Sequence, residues 1–182
     1  MKYAPKSQIE LFHLMFLRQL NSQIDPNLYS IKDGCNLRFF FDSVRYFEDL
    51  DIDVAIIQKQ TLENKINKIL SSSSLLKLLR NYEIEEVIFT APKQTQTTQR
   101  WKIKLKTKQL EMPLHTKIEF SRRQDQFESE LSAISVLLCQ CYHLQSMRFS
   151  HYAIQGAVAQ KILALAHRSL TQARDVLARY FK

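Results

Sequence analysis

Between Asp49 and Val54 the chain reads Asp-Leu-Asp-Ile-Asp-Val. Strict alternation over six residues is the period of a β-strand. Leu50, Ile52 and Val54 therefore face a core, and Asp49, Asp51 and Asp53 share the opposite face. Aspartate is a poor strand former, and like charges on one strand face repel, so the arrangement needs a cause. A solvated strand face is one reading. Metal binding is the other: carboxylates at i and i+2 stand roughly 6–7 Å apart at Cα, which suits gripping one Mg²⁺ or bridging two. A calcium-binding loop also begins Asp-x-Asp-x-Asp, but here the sixth position is Val54 rather than Gly and the twelfth is Gln60 rather than Glu.

Upstream lies Gly34, one of only 2 glycines in 182 residues. It falls between a predicted strand over 28–32 and a predicted short helix over 35–41. A simple turn glycine would serve there, and so would a glycine that lets the backbone approach a ligand closely. The helix start from Cys35 onward would offer free N–H groups and a positive dipole end to a phosphate. No G-x-x-x-x-G-K and no G-x-G-x-x-G is present. A third carboxylate would complete a metal site, and Glu119, on the polar face of a predicted strand over 114–120, is the best candidate.

The remaining pattern is mixed. A helix is expected over 7–23, opened by a Ser7–Glu10 capping box. Further helices are expected over 62–70, 152–167 and 171–181, and four serines at 71–74 read as a break. A strand over 87–90 should be closed by Pro92. Lys93 to Gln99 then reads as a hairpin loop leading to a strand in which Trp101, Ile103 and Leu105 alternate with Lys102, Lys104 and Lys106. Residues 134–142 fit a strand or a helix equally well.

The net charge is +8, and residues 61–126 hold 13 of the 26 basic groups against 7 acidic ones. That excess suggests a polyanionic partner on one face. Lys102, Lys104 and Lys106 could contact RNA phosphates, or could protect an edge strand from aggregation. Trp101 could stack on a base, but it shares parity with Ile103 and Leu105 and reads as core. The three cysteines, Cys35, Cys139 and Cys141, show no metal-ligand spacing and read as reduced thiols of a cytoplasmic protein. No apolar run is long enough to span a membrane, and the N-terminus lacks a signal-peptide pattern.

The central stretch resembles the signature of AbiEii-type nucleotidyltransferases, the toxins of bacterial type IV toxin–antitoxin pairs within the DNA polymerase β-like superfamily. That signature runs roughly K-G-G-T-x-L, a spacer, then R-x-S-x-D-hydrophobic-D. Here it reads Lys32-Asp33-Gly34-Cys35-Asn36-Leu37, then Arg45-Tyr46-Phe47-Glu48-Asp49-Leu50-Asp51. Lys117 to Phe120 is similar to the family's later acidic strand. Ala159-Gln160-Lys161, Arg168 and Arg174-Asp175 are similar to its helical region. The chain departs from the pattern at Asp33, Cys35, Phe47, Gln160 and Ala178.

The resemblance implies an α+β, polymerase β-like fold: a mixed β-sheet flanked by helices, with a core over residues 1–126 and a mainly helical region over 127–182 completing the nucleotide site. It implies transfer of a nucleoside monophosphate from an NTP to an acceptor hydroxyl, tRNA in related toxins, with a cognate antitoxin as partner. Asp49, Asp51 and Glu119 would be catalytic and would hold two Mg²⁺ ions. Gly34, Cys35, Arg45, Lys161 and Asp175 would bind the nucleotide. The alternative is a catalytically degenerate module of the same fold that binds RNA or a protein; Asp33 and Cys35 favour it, and the intact acidic set favours the enzyme.

Overall fold

The computed structural model describes residues 3–122 and 128–166. Seven strands form one mixed sheet. In chain order they are β1 (Tyr29–Lys32), β2 (Asp49–Val54), β3 (Ile84–Gln94), β4 (Thr98–Thr107), β5 (Leu114–Ser121), β6 (Ser129–Ala133) and β7 (Arg148–Tyr152). Their spatial order is β3-β4-β5-β2-β1-β7-β6. β2 runs parallel to β5 and antiparallel to β1, and β1 runs parallel to β7. The sheet therefore runs across residue 126. Residues 128–166 supply two strands as well as the helices α5 (Val136–Tyr142) and α6 (Ile154–Ala166).

Helices α1 (Pro5–Asn21), α2 (Asp33–Phe40), α3 (Lys59–Leu70) and α4 (Ser73–Arg80) complete the fold. The apolar side of the sheet, with Ile31, Leu50, Ile52, Trp101, Ile103, Leu105, Ile118 and Phe120, is fully buried. It packs against α1, in which Leu11, Phe12, Leu14, Phe16, Leu17 and Leu20 are also buried. A helix buried on most of its circumference is what its near-continuous apolar run requires. Trp101 belongs to this core, and its indole N–H donates to Asn67 Oδ1 on α3 at 2.8 Å.

Four local expectations are corrected. α1 begins at Pro5 behind Ala4, with no side-chain cap. Glu10 serves instead as a buried acceptor for Arg38 Nε at 2.6 Å and the Tyr142 hydroxyl at 2.5 Å. The serine run breaks the chain only briefly, since Ser72 caps α4 by accepting from the Leu75 amide at 3.1 Å. β3 continues through Pro92, which sits in a register shift between Thr90 and Lys93 on an edge strand, where a missing N–H is tolerated. β4 is an interior strand, flanked by β3 and β5, so its lysines do not guard an edge. The ambiguous segment resolves into the helix α5. The expected last helix over 171–181 lies outside the described residues.

Candidate active site

β1 and β5 flank β2, and their register sets the site. Lys32, Asp51, Glu119 and Arg100 are successive partners across β1, β2, β5 and β4. One step along β2, Asp49 partners Lys117, which partners Lys102. One step the other way, Asp53 lies between Ser30 and Ser121. Residues directly opposite on neighbouring strands point to the same side, so this charge grid occupies the face turned away from the apolar core. Glu119 thus stands one strand spacing, about 4.8 Å, from Asp51.

The three aspartates of β2 have different surroundings. Asp53 is buried and does not belong to an open carboxylate face. Lys32 Nζ donates to its Oδ1 at 2.5 Å, and the Tyr152 hydroxyl donates to its Oδ2 at 2.9 Å. Asp49 Oδ2 lies 3.1 Å from Lys117 Nζ. Asp51 has no direct ion-pair partner among the described residues. Its carboxyl is pushed up to about 6, first by burial and then by the Asp33 carboxylate; Asp49 and Glu119 add to the rise and Lys117 opposes it.

Glu119 Oε2 accepts from Arg100 Nε at 2.5 Å. Asp49 and Glu119 are thus each turned to a cation, and no three His, Cys, Asp or Glu side chains converge as a ligand set among the described residues. The donor chemistry nevertheless fits Mg²⁺: hard carboxylate oxygens, in register on adjacent strands, around a half-buried acid without an ion-pair partner among the described residues. Arg100 went unassigned in the sequence because nothing local links it to Glu119; only the β4–β5 register does.

The ground beneath Asp49 is also built from afar. Thr116 Oγ1 donates to the Glu48 carbonyl at 2.6 Å, which leaves it as acceptor for His13 Nε2 at 2.7 Å. His13 is fully buried, and desolvation lowers its pKa to about 3, so it is a neutral imidazole carrying its proton on Nε2. Cys35 Sγ lies 3.2 Å from the Asp49 carbonyl, and burial raises its pKa further above the thiol range. The Cys35 thiol is therefore turned into the core, and only its backbone amide is left to meet a nucleotide.

The helix α2 begins at Asp33 rather than at Cys35, and Asp33, with φ 55°, takes the left-handed conformation. Asp is among the few residues that tolerate this region. Arg45 makes no salt bridge among the described residues; its guanidinium lies 5.2 Å from the centre of the Phe47 ring. Lys161 falls on α6, but its side chain lies outside what is described, and so does Asp175. Beside Asp49, an open cleft of about 520 Å³ is lined by Thr90, Lys102, Lys104, His115 and Lys117 among others.

Residues 34–177 match the family described as "Nucleotidyl transferase AbiEii toxin, Type IV TA system". This chain belongs to the AbiEii nucleotidyltransferase toxin family. Its fold agrees with that membership. JHP933 from Helicobacter pylori is similar with a TM-score of 0.65 and 19% identity, over 98% of this chain and 68% of that one. MenT4, a nucleotidyltransferase toxin from Mycobacterium tuberculosis, is similar with a TM-score of 0.68 and 18% identity, over 96% of this chain and 58% of that one. At these identities the likeness concerns the fold. A search of curated proteins returns no match. No helix among the described residues of this AbiEii nucleotidyltransferase is long and apolar enough to cross a membrane.

Proposed function

We propose that this nucleotidyltransferase transfers a nucleoside monophosphate from an NTP to a hydroxyl of an RNA acceptor, tRNA-like, as the toxin of a pair with a cognate antitoxin. The observation that carries the reading is the in-register adjacency of Asp51 and Glu119, with Asp49 two residues away on the same face. Asp49 and Asp51 would hold divalent metal, with Glu119 as the third ligand. Bound there, Mg²⁺ supplies neutralisation of charge developing on the α-phosphate and the pyrophosphate leaving group.

The chain's own groups do the rest. Were Asp49 and Glu119 to hold a metal, Lys117 and Arg100, now paired with those carboxylates, would be free to meet the substrate's phosphates. Glu119 accepts the acceptor's hydroxyl proton as its oxygen bonds to the α-phosphorus and the bond to the β-phosphate oxygen breaks. By family likeness, Lys161 reaches the phosphates from the C-terminal region, and Asp175 orients that lysine or contacts the nucleotide. The cleft with Lys102 and Lys104 opens directly beside Asp49 and suits the phosphates of an RNA strand; Lys106, paired with Glu86 at 2.6 Å, contributes less.

The test is incubation with each labelled NTP, Mg²⁺ and total RNA. Label should appear on a discrete RNA species and disappear in Asp51→Ala. No transfer from any NTP, together with no Mg²⁺-dependent NTP binding by calorimetry, would refute the reading.

A further inference from the structure

Gly34 is small for a reason other than backbone freedom, because its φ lies outside the left-handed region. The space where a side chain would stand is filled by protein. A Cβ on Gly34 would overlap Cγ, Cδ1 and Cε1 of Phe47. Those atoms include the one that joins the ring to its own Cβ, so tilting the ring's far edge would not clear the clash. The ring is therefore laid against the Gly34 backbone, and the Arg45 guanidinium stands 5.2 Å from its centre.

The loop that carries the ring is fastened just before it. Ser43 is buried, its carbonyl accepts from Arg38 Nη1 at 2.8 Å, and its amide donates to the Leu37 carbonyl at 3.1 Å. Past Ser43, Val44 is exposed and Arg45, Tyr46 and Phe47 are half-buried, until β2 begins at Asp49. The ring thus sits on a short span between two fixed points. Beneath it Gly34, Cys35 and Asn36, in the first turn of α2, are all buried. The first amides of a helix have no partner within it and are its anion-binding groups. The ring stands against the first of these residues, Gly34.

We propose that Phe47 is a gate over the nucleotide site, shut in this conformation, and that Arg45 swings out with it to meet the triphosphate. Gly34 is then the seat of the gate. This rests on the nucleotidyltransferase reading above. A binding-competent state that is only partly populated weakens apparent affinity by its population, so removing the ring tightens binding.

The experiment measures Kd for the four NTPs with Mg²⁺, and stopped-flow binding of a ribose-labelled fluorescent NTP. Phe47→Ala should lower Kd by at least about fivefold. The observed rate, which levels off with rising nucleotide in the wild type, should become linear. Phe47→Leu, a smaller change to the loop, should shift Kd in the same direction and stands in if Phe47→Ala loses its cooperative melt. Arg45→Gln in the Phe47→Ala background should weaken binding severalfold.

The seat is tested by melting alone. Gly34→Ala should lower Tm in the wild type and leave it unchanged in the Phe47→Ala background. Equal damage in both backgrounds overturns the seat. Equal or weaker NTP binding in Phe47→Ala, with linear kinetics in the wild type, overturns the gate while leaving the nucleotide site standing. Absence of NTP binding in every variant overturns both the nucleotide site and the gate.

Discussion

Asp51 and Asp53 stand two residues apart on one face of one strand, with opposite fates. Asp53 is 4% exposed and fully engaged, by Lys32 on β1 and Tyr152 on β7. Asp51 is crowded by Asp33, Asp49 and Glu119, and Lys117, the cation that opposes that crowding, is turned to Asp49. The alternation in β2 sets which way each carboxylate points. What lies beside it on β1, β5 and β7 decides whether it is paired or left among like charges. A buried charge with its partner fastens the sheet, and a half-buried charge crowded by its own sign favours a cation.

The sharpest way to break this comparison is Asp51→Asn. Transfer should fall by at least about 1,000-fold, or about 4 kcal/mol in the barrier. Stability at pH 7.5 should stay level or rise, since ionising Asp51 in place costs roughly two pH units at about 1.4 kcal/mol each. The variant should also lose any thermal shift on adding Mg²⁺. A marked drop in its melting temperature would mean that Asp51 is structural, like Asp53. Asp53→Ala should do the reverse and cost about 3–5 kcal/mol in denaturant melts, by stranding Lys32. Adding Lys32→Met should recover much of that loss; a double variant no better than the single would show that the pair is not the cause.

His13 gives a pH signature of its own. Its folded pKa is depressed, so its contribution to stability is complete above 6.5 and drains away as pH falls toward about 3. By pH 5 the loss should reach about 2 kcal/mol, and His13→Gln should flatten it. The melts belong in the Asp51→Asn background, because a raised carboxyl acts in the opposite sense: it destabilises as pH rises toward 6. The smallest effect is expected at the cleft. If RNA is the acceptor as proposed, Lys102→Gln or Lys104→Gln should weaken RNA binding a few-fold and reduce its salt slope by about 1. An unchanged slope would remove the cleft from the acceptor path.

Much of the site's framework was legible because it is local or periodic. The strand Asp49–Val54, the short helix after Lys32 and the pairing of β4 with β5 all follow from alternation and turn chemistry. Glu119 was legible too, as a carboxylate on the polar parity of a strand. What escaped was set by partners distant in the chain. Nothing near Asp53 announces Lys32 and Tyr152, and nothing near Glu119 announces Arg100. Glu10 looked like a capping residue because Arg38 and Tyr142 are invisible from α1. Pro92 looked like a strand end because a register shift cannot be read from one strand. The contact of Gly34 with Phe47 escaped too, because Phe47 arrives from across a loop.

The parallel pairing of β2 with β5 has a consequence in time. The two strands are separated by α3, α4, β3 and β4, so their alignment is a non-local event of the slow kind. Asp49 and Asp51 leave the ribosome long before Glu119, and until β5 docks the acidic set is incomplete. A site that needs Asp49, Asp51 and Glu119 together would therefore form only when the middle of the sheet has closed, late in the life of the nascent chain.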